Sequence, residues 1–234
     1  MSTLFDLEYD ARDLPHTATD FSIEKELCLQ GYRIIAGVDE AGRGALAGPL
    51  SLGMTIYHSS IYAEPPELIL NSISDSKKLS PKKREEAFLI IKDFSLTYTS
   101  VFVPHGIIDK TDINIATKIG IERLIAKSEI KPDIIIMDGN FKFDFDIKFM
   151  SVIKGDNKSI SIASASIIAK VLRDRLMDKA DLKYPDYGFG INKGYGTKKH
   201  IESIYSNGFS NIHRKSFEPI KSLTESERLL FCED

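Results

Sequence analysis

The sequence has few of the features that mark secreted or membrane proteins. Cys28 and Cys232 are its only cysteines, too few for a disulfide framework or a cysteine-based zinc site. No apolar run approaches the length that spans a membrane, and residues 1–10 are acidic where a secretion signal would be basic. We therefore expect a soluble, cytoplasmic protein that makes no membrane contact.

A strong net charge is also missing. The formal charge is -3 over 234 residues, of which 28% are charged and 42% are hydrophobic. This composition is typical of a globular protein that buries its core in one domain, with room for a small appendage. If the partner is a polyanion, it must bind a local basic face, because counterion release depends on which Lys and Arg side chains reach phosphates.

The sequence also contains no convincing motif for binding nucleotides or zinc. There is no G-x-x-x-x-G-K-[ST] loop, and none of the five histidines has a Cys or His at metal-ligand spacing. Residues 42–47 do satisfy the dinucleotide-binding pattern G-x-G-x-x-A after a strand. We reject that interpretation, because a strand follows Gly48-Pro49 where a phosphate-binding loop must open a helix, and Asp39-Glu40 would repel a pyrophosphate.

Apolar periodicity predicts a mixed α/β layer fold. The first two strands are close enough in sequence to form a hairpin, and a helix starting at Ser159 has small residues that permit close packing on a sheet. Ser80 and Asp112 are predicted to begin two other helices. The predicted strands are 33–38, 50–56, 95–103, 134–137 and 149–153, and the remaining predicted helices are 21–27, 197–205 and 225–231.

Acidic residues follow two of the apolar strands. Asp39 and Glu40 come after one, and Asp138 comes after another. If the two strands are neighbours, three carboxylates meet at one edge of the sheet, where only a cation would offset their repulsion. Hard oxygen ligands favour Mg²⁺ or Mn²⁺ over zinc. The alternative is that these residues merely cap turns, and Asp156 taken alone is more typical of a solvated turn.

A set of short blocks in a fixed order points to a family. The blocks are 38–44 with 47–49, 75–80, 137–139, 154–156, 165–171 with 173–174, 193–197 with His200, and 213–214 with 216–217. Together they resemble type 2 ribonuclease H (ribonuclease HII) over roughly residues 34–223. The resemblance implies an α/β, ribonuclease H-like fold, a mixed central sheet flanked by helices, with a C-terminal helical region.

The same resemblance implies a division of the chain into three parts. Residues 1–31 are an N-terminal extension without an assigned role, and residues 32–183 are the catalytic domain. Residues 184–234 are a helical region that completes the substrate-binding face. A monomer is the default expectation, and the substrate that the resemblance implies is an RNA–DNA hybrid or duplex DNA that contains ribonucleotides.

Four catalytic carboxylates are implied by the resemblance: Asp39, Glu40, Asp138 and Asp156. They would bind two Mg²⁺ or Mn²⁺ ions, one activating a water and the other stabilising the leaving 3′ oxygen. Cleavage would leave 5′-phosphate and 3′-hydroxyl ends. Asp174, by contrast, is expected on a helix surface, where Lys170 lies one turn away.

Recognition of the 2′-hydroxyl distinguishes RNA from DNA. By resemblance the Gly42-Arg43-Gly44 loop performs it, and Tyr195 stacks on the sugar of the next nucleotide. The alternatives are an Arg43 that pairs with an acid and a Tyr195 that packs on the core. Ser76 and Lys77 are further candidates for substrate contact, and a basic face is expected from Lys77, Lys78, Lys193, Lys198, Lys199, Arg214 and Lys215.

Two other functions remain possible from the sequence. One is a nuclease or transferase of the ribonuclease H-like superfamily that acts on DNA junctions, against which the Gly42-Arg43-Gly44 loop argues. The other is a non-catalytic module that binds hybrids, which we would expect to lack some of the four carboxylates.

Overall fold

Five strands pair into one mixed sheet. They are β1 (Ile35–Ala41), β2 (Leu50–Ile56), β3 (Thr97–Val103), β4 (Ile134–Asp138) and β5 (Lys148–Val152). Their order across the sheet is β3-β2-β1-β4-β5. β2 runs antiparallel to both β1 and β3, whereas β4 runs parallel to β1 and β5 runs parallel to β4. The predicted hairpin and the predicted mixed α/β class are both confirmed.

Nine α-helices of the chain are described, within the part of the computed structural model that covers residues 19–224. None of the helices in that part is long and apolar enough to cross a membrane. They are α1 (Ser22–Leu29), α2 (Ser59–Ala63), α3 (Glu67–Ser72), α4 (Pro81–Phe94), α5 (His105–Lys110), α6 (Ile113–Lys127), α7 (Ile160–Lys183), α8 (Phe189–Asn192) and α9 (Lys198–Asn207). The predicted helix 225–231 lies outside the described residues.

Local capping explains where the long helices begin. Ser80, Asp112 and Ser159 each lie just before a helix and accept hydrogen bonds from N–H groups of its first turn. These side chains satisfy donors that have no partner inside the helix, which is why their positions could be predicted from the sequence.

Helix α7 packs directly on β1, which carries Asp39 and Glu40, and on its neighbour β2. A Cβ atom at Gly37 of β1 would lie 2.2 Å from the backbone of Ser161, and one at Gly53 of β2 would lie 2.3 Å from the carbonyl of Ala165. Glycine at these two positions therefore allows the helix backbone to approach the sheet backbone. The close packing expected from the small residues of the helix is confirmed.

The opposite face of the sheet is covered by α6. Ala116, Ile121 and Leu124 of this helix are buried against β1, β2 and β4 in one apolar cluster. A ring of phenylalanines after β4 continues that cluster: Phe141, Phe143, Phe145 and Phe149. The sheet thus lies between two layers, and these aromatic side chains extend the apolar cluster on the α6 side.

Segments from the two ends of the described chain attach at opposite ends of α7. In α1, the carboxyl of Glu24 is fully buried and accepts hydrogen bonds from the Ser159 hydroxyl at 2.6 Å and from Ser161 N–H at 3.0 Å. The C-terminal region packs on the other end of α7, where Met177 joins Phe189 and Ile204 in a separate cluster. The division of the chain at residues 31 and 183 stays a prediction.

Candidate active site and metal centre

Asp39 and Asp138 lie side by side because their strands are parallel neighbours. In the pairing of β1 with β4, Val38 is opposite Met137, so the next residues on both strands are the two acids. The carboxyl ends of parallel strands form an edge where α/β proteins commonly bind ligands. Both acids belong to their strands, whereas the sequence placed them just after the strand ends.

Asp156 reaches the same edge from a short 3-10 helix, residues Gly155–Asn157, that connects β5 to α7. Lys154 has a left-handed backbone conformation, with φ of 57°, which turns the chain back towards the sheet. Gly155 N–H then donates to Asp138 Oδ1 at 2.6 Å and ties the turn to β4. Asp156 is 3% exposed, so it is not the solvated turn residue that its local sequence would indicate.

The three aspartates form a group suited to a cation. One carboxylate oxygen from each of Asp39, Asp138 and Asp156 lies within 4.8 Å of the others. Glu40 is adjacent, and its buried Oε2 atom has no hydrogen-bond partner among residues 19–224. All the available ligand atoms are carboxylate oxygens, which suit a hard divalent ion such as Mg²⁺ or Mn²⁺. These residues therefore fit the metal that the sequence implied.

Burial and mutual repulsion perturb the acids. Burial, followed by the charges of Glu40 and Asp138, raises the pKa of Asp39 well above its ordinary value. Burial raises the pKa of Glu40 to about 7, an increase that Arg43 opposes and Asp138 promotes. Burial and then Asp156 raise the pKa of Asp138. Carboxylates that repel one another in this way bind a divalent cation favourably, because the cation reverses the sign of the interaction.

Lys77 and Ser76 border the acids in different ways. The Lys77 side chain is 74% exposed, and its ammonium lies 3.4 Å from Asp156 Oδ2. Partial burial alone would lower the pKa of Lys77, but Asp156 and Asp39 raise it above the ordinary value. Ser76 is buried and its hydroxyl lies 2.9 Å from that of Ser166, which hydrogen bonds to Asp39. Direct substrate contact by either residue stays a prediction.

The Gly42-Arg43-Gly44 loop starts immediately after β1. Gly42 has φ of 89°, and a Cβ atom there would lie 2.0 Å from Arg173 Nε, so both the backbone and the packing require glycine. Gly44 differs, because a Cβ atom there would have no neighbour within 4 Å. The loop is therefore packed on the protein at Gly42 and open at Gly44.

Arg43 is fixed by neutral groups. Its guanidinium donates to the Thr117 hydroxyl at 3.1 Å and to the Asn114 side chain, both in the first turns of α6. It also lies 5.2 Å from the centre of the Phe141 ring. The ion pair with an acid that the sequence left open is absent from the described residues, since none of the salt bridges there includes Arg43.

Tyr195 lies against the same loop. Its hydroxyl accepts a hydrogen bond of 3.1 Å from Gly42 N–H, and Ala45 pairs with it through an isolated antiparallel bridge. The ring is half-buried between Lys170 and Arg173, whose charged groups lie 5.6 and 5.3 Å from its centre. The C-terminal region thereby supplies a tyrosine to a loop that begins 153 residues earlier in the chain.

Comparison with known proteins identifies the family of this chain. The model of the ribonuclease HII family matches residues 36–220. The chain belongs to the ribonuclease HII family. Ribonuclease HII of Caldicellulosiruptor saccharolyticus is 46% identical over 197 residues, which are 84% of this chain and 93% of the relative. Ribonuclease HII of Acholeplasma laidlawii is 45% identical over 210 residues, 88% and 98% of the two chains.

Solved structures agree with this ribonuclease HII assignment. The crystal structure of ribonuclease H2 from Pyrococcus horikoshii OT3 superposes with a TM-score of 0.69 at 28% identity, covering 83% of this chain and 99% of that one. The ribonuclease H-like fold is thus confirmed. As a member of this family, the chain is a divalent-metal-dependent ribonuclease H, an endonuclease that acts on RNA in RNA–DNA hybrids.

The basic face expected of a ribonuclease HII needs one correction. Arg214 is 0% exposed and donates to the backbone carbonyls of Gly42, Arg43 and Gly48, so its assignment to a phosphate-binding surface was wrong. Lys193 is also engaged, because its ammonium pairs with Asp178. Lys198, Lys199 and Lys215 are exposed and can still meet a nucleic acid.

Several residues that support the site were not predicted. Ser166 contacts Asp39, Asn114 and Thr117 hold Arg43, and Arg173 lies beneath Gly42. Each acts across a long separation in sequence. Ser166 and Arg173 lie in blocks that carry the family resemblance, but no role was assigned to them there. Asp174 was predicted to pair with Lys170, and it does so at 2.8 Å while also contacting Arg84.

Proposed function

We propose that this ribonuclease HII cuts on the 5′ side of ribonucleotides embedded in duplex DNA, as well as hydrolysing the RNA strand of RNA–DNA hybrids. The single observation that carries the proposal is the continuity of β1 with the Gly42-Arg43-Gly44 loop. Asp39 and Glu40 lie near the end of the strand, and the loop begins two residues after Glu40. A sugar bound at the loop would therefore have its phosphodiester next to the carboxylates.

Asp39, Glu40, Asp138 and Asp156 are the proposed metal ligands. Two Mg²⁺ or Mn²⁺ ions bound there would supply activation of the attacking water and stabilisation of the leaving 3′ oxygen, giving 5′-phosphate and 3′-hydroxyl products. The protein contributes rigid placement. Asp39 accepts a hydrogen bond from Glu40 N–H at 2.8 Å, Asp138 accepts one from Gly155, and Asp156 accepts one from the Asn157 side chain at 2.7 Å.

Lys77 is proposed to act beside these acids as a mobile positive charge. Its side chain is mostly exposed, yet its ammonium stays within 3.4 Å of Asp156. From this position it can contact the scissile phosphate or compensate the carboxylates before the substrate arrives. Ser76 is proposed to act less directly, through Ser166 and Asp39, because it is buried.

The loop is proposed to read the 2′-hydroxyl with its backbone. Gly44 is exposed, and the protein itself leaves room for a larger side chain there. A substrate that approaches this backbone closely would explain the glycine. The Tyr195 ring, half-exposed and oriented by Gly42 N–H, is proposed to stack on the sugar that follows the ribonucleotide.

A single chain is the proposed active unit. All four carboxylates, the loop and Tyr195 come from one copy of the protein, so the site needs no second copy. The C-terminal region, which supplies Tyr195, is proposed to complete the substrate-binding face. The exposed lysines near it, including Lys198 and Lys199, would contact backbone phosphates and make binding weaker at high salt.

The test compares three duplexes of one sequence: an RNA–DNA hybrid, a DNA duplex with one ribonucleotide, and an all-DNA duplex. Each is incubated with Mg²⁺ and, separately, with Mn²⁺. We expect cleavage of the first two and none of the third, with the single ribonucleotide cut on its 5′ side. Mass analysis of the ends should show 5′-phosphate and 3′-hydroxyl groups.

Asp138→Asn is the matched variant. It removes a charge from the metal site but keeps an oxygen that can accept from Gly155, so we expect cleavage to fall by more than about 100-fold while hybrid binding remains. Full activity of this variant with Mg²⁺ would disprove the metal-ligand assignment. Equal cutting of the all-DNA duplex would instead favour a nuclease that acts on DNA junctions.

A further inference from the structure

Two fully buried arginines lie beneath the loop that is proposed to read the ribose. Arg173 of α7 and Arg214 of the C-terminal region are both 0% exposed. In residues 19–224, neither forms a salt bridge with a carboxylate. Moving a guanidinium from water to the interior is costly, so strong compensating hydrogen bonds are required.

Backbone carbonyls provide that compensation. Arg214 donates to Gly42 at 2.7 Å, to Arg43 at 2.8 Å and to Gly48 at 3.1 Å. Arg173 donates to the carbonyls of Ala47, Pro49 and Lys193 at 2.8–3.0 Å. Five of these six carbonyls belong to the segment 42–49, so the two guanidinium groups hold the path of the whole loop.

The contacts of Arg214 also determine where the loop directs its N–H groups. In a trans peptide, the C=O and N–H bonds point in opposite directions. Because the carbonyls of Gly42 and Arg43 point at Arg214, the N–H groups of Arg43 and Gly44 point away from it. Neither N–H group has a hydrogen-bond acceptor in the described part of the chain, which leaves both available to a ligand on the open side of the loop.

We propose that Arg214 is a positioning residue for ribose recognition, which orients the peptide groups of Gly42-Arg43-Gly44 through its hydrogen bonds to their carbonyls. The proposal rests on the proposed function of this loop. Arg173 holds the later part of the segment and the turn before Tyr195, so the two arginines have separable effects. A guanidinium suits the task because its donors are spread over three nitrogens in a planar fork, whereas the three donors of a lysine ammonium share one nitrogen.

The test uses binding rather than cleavage, in the Asp138→Asn background. Dissociation constants are measured for two duplexes of one sequence that differ only in a single 2′-hydroxyl. The ratio of the two constants reports ribose preference, whereas a general loss of folded protein would weaken binding to both duplexes alike. If the parent shows no preference, the proposed function fails. If it shows one, the arginine variants decide the present proposal.

Arg214→Lys keeps the charge and removes the fork. We expect it to lower the preference ratio by about tenfold, the effect of about one mispositioned hydrogen bond, and to change the affinity for all-DNA duplex by less than about twofold. Arg173→Lys should reduce thermal stability but retain most of the ribose preference, because Arg173 does not donate to the carbonyls of Gly42 and Arg43. Arg175→Lys, on the exposed side of the same helix, should match the parent.

An unchanged preference ratio in folded Arg214→Lys would overturn the proposal, as would an equal loss in Arg173→Lys. Phe217→Leu provides a milder second variant if Arg214→Lys does not fold. It removes the ring that lies 5.1 Å from the guanidinium but none of the hydrogen-bond donors. If Phe217→Leu loosens Arg214, the preference ratio should decrease by less than in Arg214→Lys. Lower thermal stability with an unchanged preference ratio would count against the proposal.

Discussion

The carboxylates at the strand ends and the arginines beneath the loop are both buried groups of like charge, but their surroundings differ. Burial and mutual repulsion raise the pKa of Asp39 and Asp138, and one oxygen of Glu40 has no hydrogen-bond partner in the described residues. Arg173 and Arg214 each donate three hydrogen bonds to carbonyls. Among residues 19–224 the acids are compensated only in part, by Lys77 and a few hydrogen bonds.

The difference shows how a reactive cluster can be distinguished from a supporting one. Burial and the neighbouring Arg173 lower the pKa of Arg214 to about 9, so burial alone does not identify the functional group. The carboxylates differ because their mutual repulsion would be offset by a bound divalent cation. The arginines are already satisfied, and we therefore infer that they stabilise the loop rather than bind the substrate.

Removing one acid should have the largest effect. Asp39→Asn is expected to lower cleavage by more than about 100-fold, and yet to stabilise the metal-free protein by about 1 kcal/mol, because it removes one buried negative charge. Thermal unfolding in a chelator, and again with Mg²⁺ or Mn²⁺, measures the second effect. A lower melting temperature in the chelator would show that the acids do not repel one another enough to matter.

Removing one arginine should act in the opposite direction on stability. Arg173→Met leaves the carbonyls of Ala47, Pro49 and Lys193 without their charged donor, while it relieves the repulsion with Arg214. The net loss in the free energy of unfolding should be about 3 kcal/mol, measured by denaturant unfolding in a chelator. Arg175→Met, on the exposed side of α7, is the control and should stay within about 0.5 kcal/mol of the parent.

The buried pair of His200 and His213 differs from the acids and the arginines because it is neutral. We expect it to affect stability less than they do near neutral pH. Ser210 N–H donates to His213 Nδ1, so His213 carries its proton on Nε2, which lies 3.0 Å from His200 Nε2. His200 Nδ1 in turn lies 2.9 Å from the Tyr195 carbonyl. Burial, with the nearby His200, lowers the pKa of His213 to about 4.

The sign of the resulting pH dependence follows from proton uptake. Below an ordinary histidine pKa of about 6.5, the unfolded chain binds a proton at this position that the folded chain does not. The stability contributed by neutral His213 should therefore be lost as the pH falls from about 6.5 to about 4. Urea unfolding across this range, compared with His213→Gln, measures it. Parallel pH curves for the two proteins would contradict the lowered pKa.

The sequence predicted the parts of the fold that depend on local pattern. The five strands, the helix starts at Ser80, Asp112 and Ser159, and the acids at the strand ends all follow from apolar periodicity and capping. The strand ends were displaced by one or more residues, because Asp39, Glu40 and Asp138 still pair with neighbouring strands. Such pairing depends on the partner strand, which the local sequence does not contain.

Residues whose burial depends on distant partners could not be predicted. Arg214 was assigned to the local basic face that a polyanionic partner would need, and arginine is mostly exposed in folded proteins. Its environment is formed by carbonyls 166–172 residues away in the chain. Likewise, nothing in the sequence indicates that Asn114 and Thr117 accept hydrogen bonds from Arg43, since polar residues in the first turns of a helix are common.

The sequence by itself determined the order of the elements and the identity of the acids, because periodicity, caps and an ordered set of motifs are properties of neighbouring residues. Only the tertiary structure decided that β1 lies beside β4, that Asp156 is buried next to Asp138, and that Arg214 supports the loop instead of facing solvent. Those outcomes depend on packing between distant segments, because the same packing removes a charge from water and supplies the groups that compensate it.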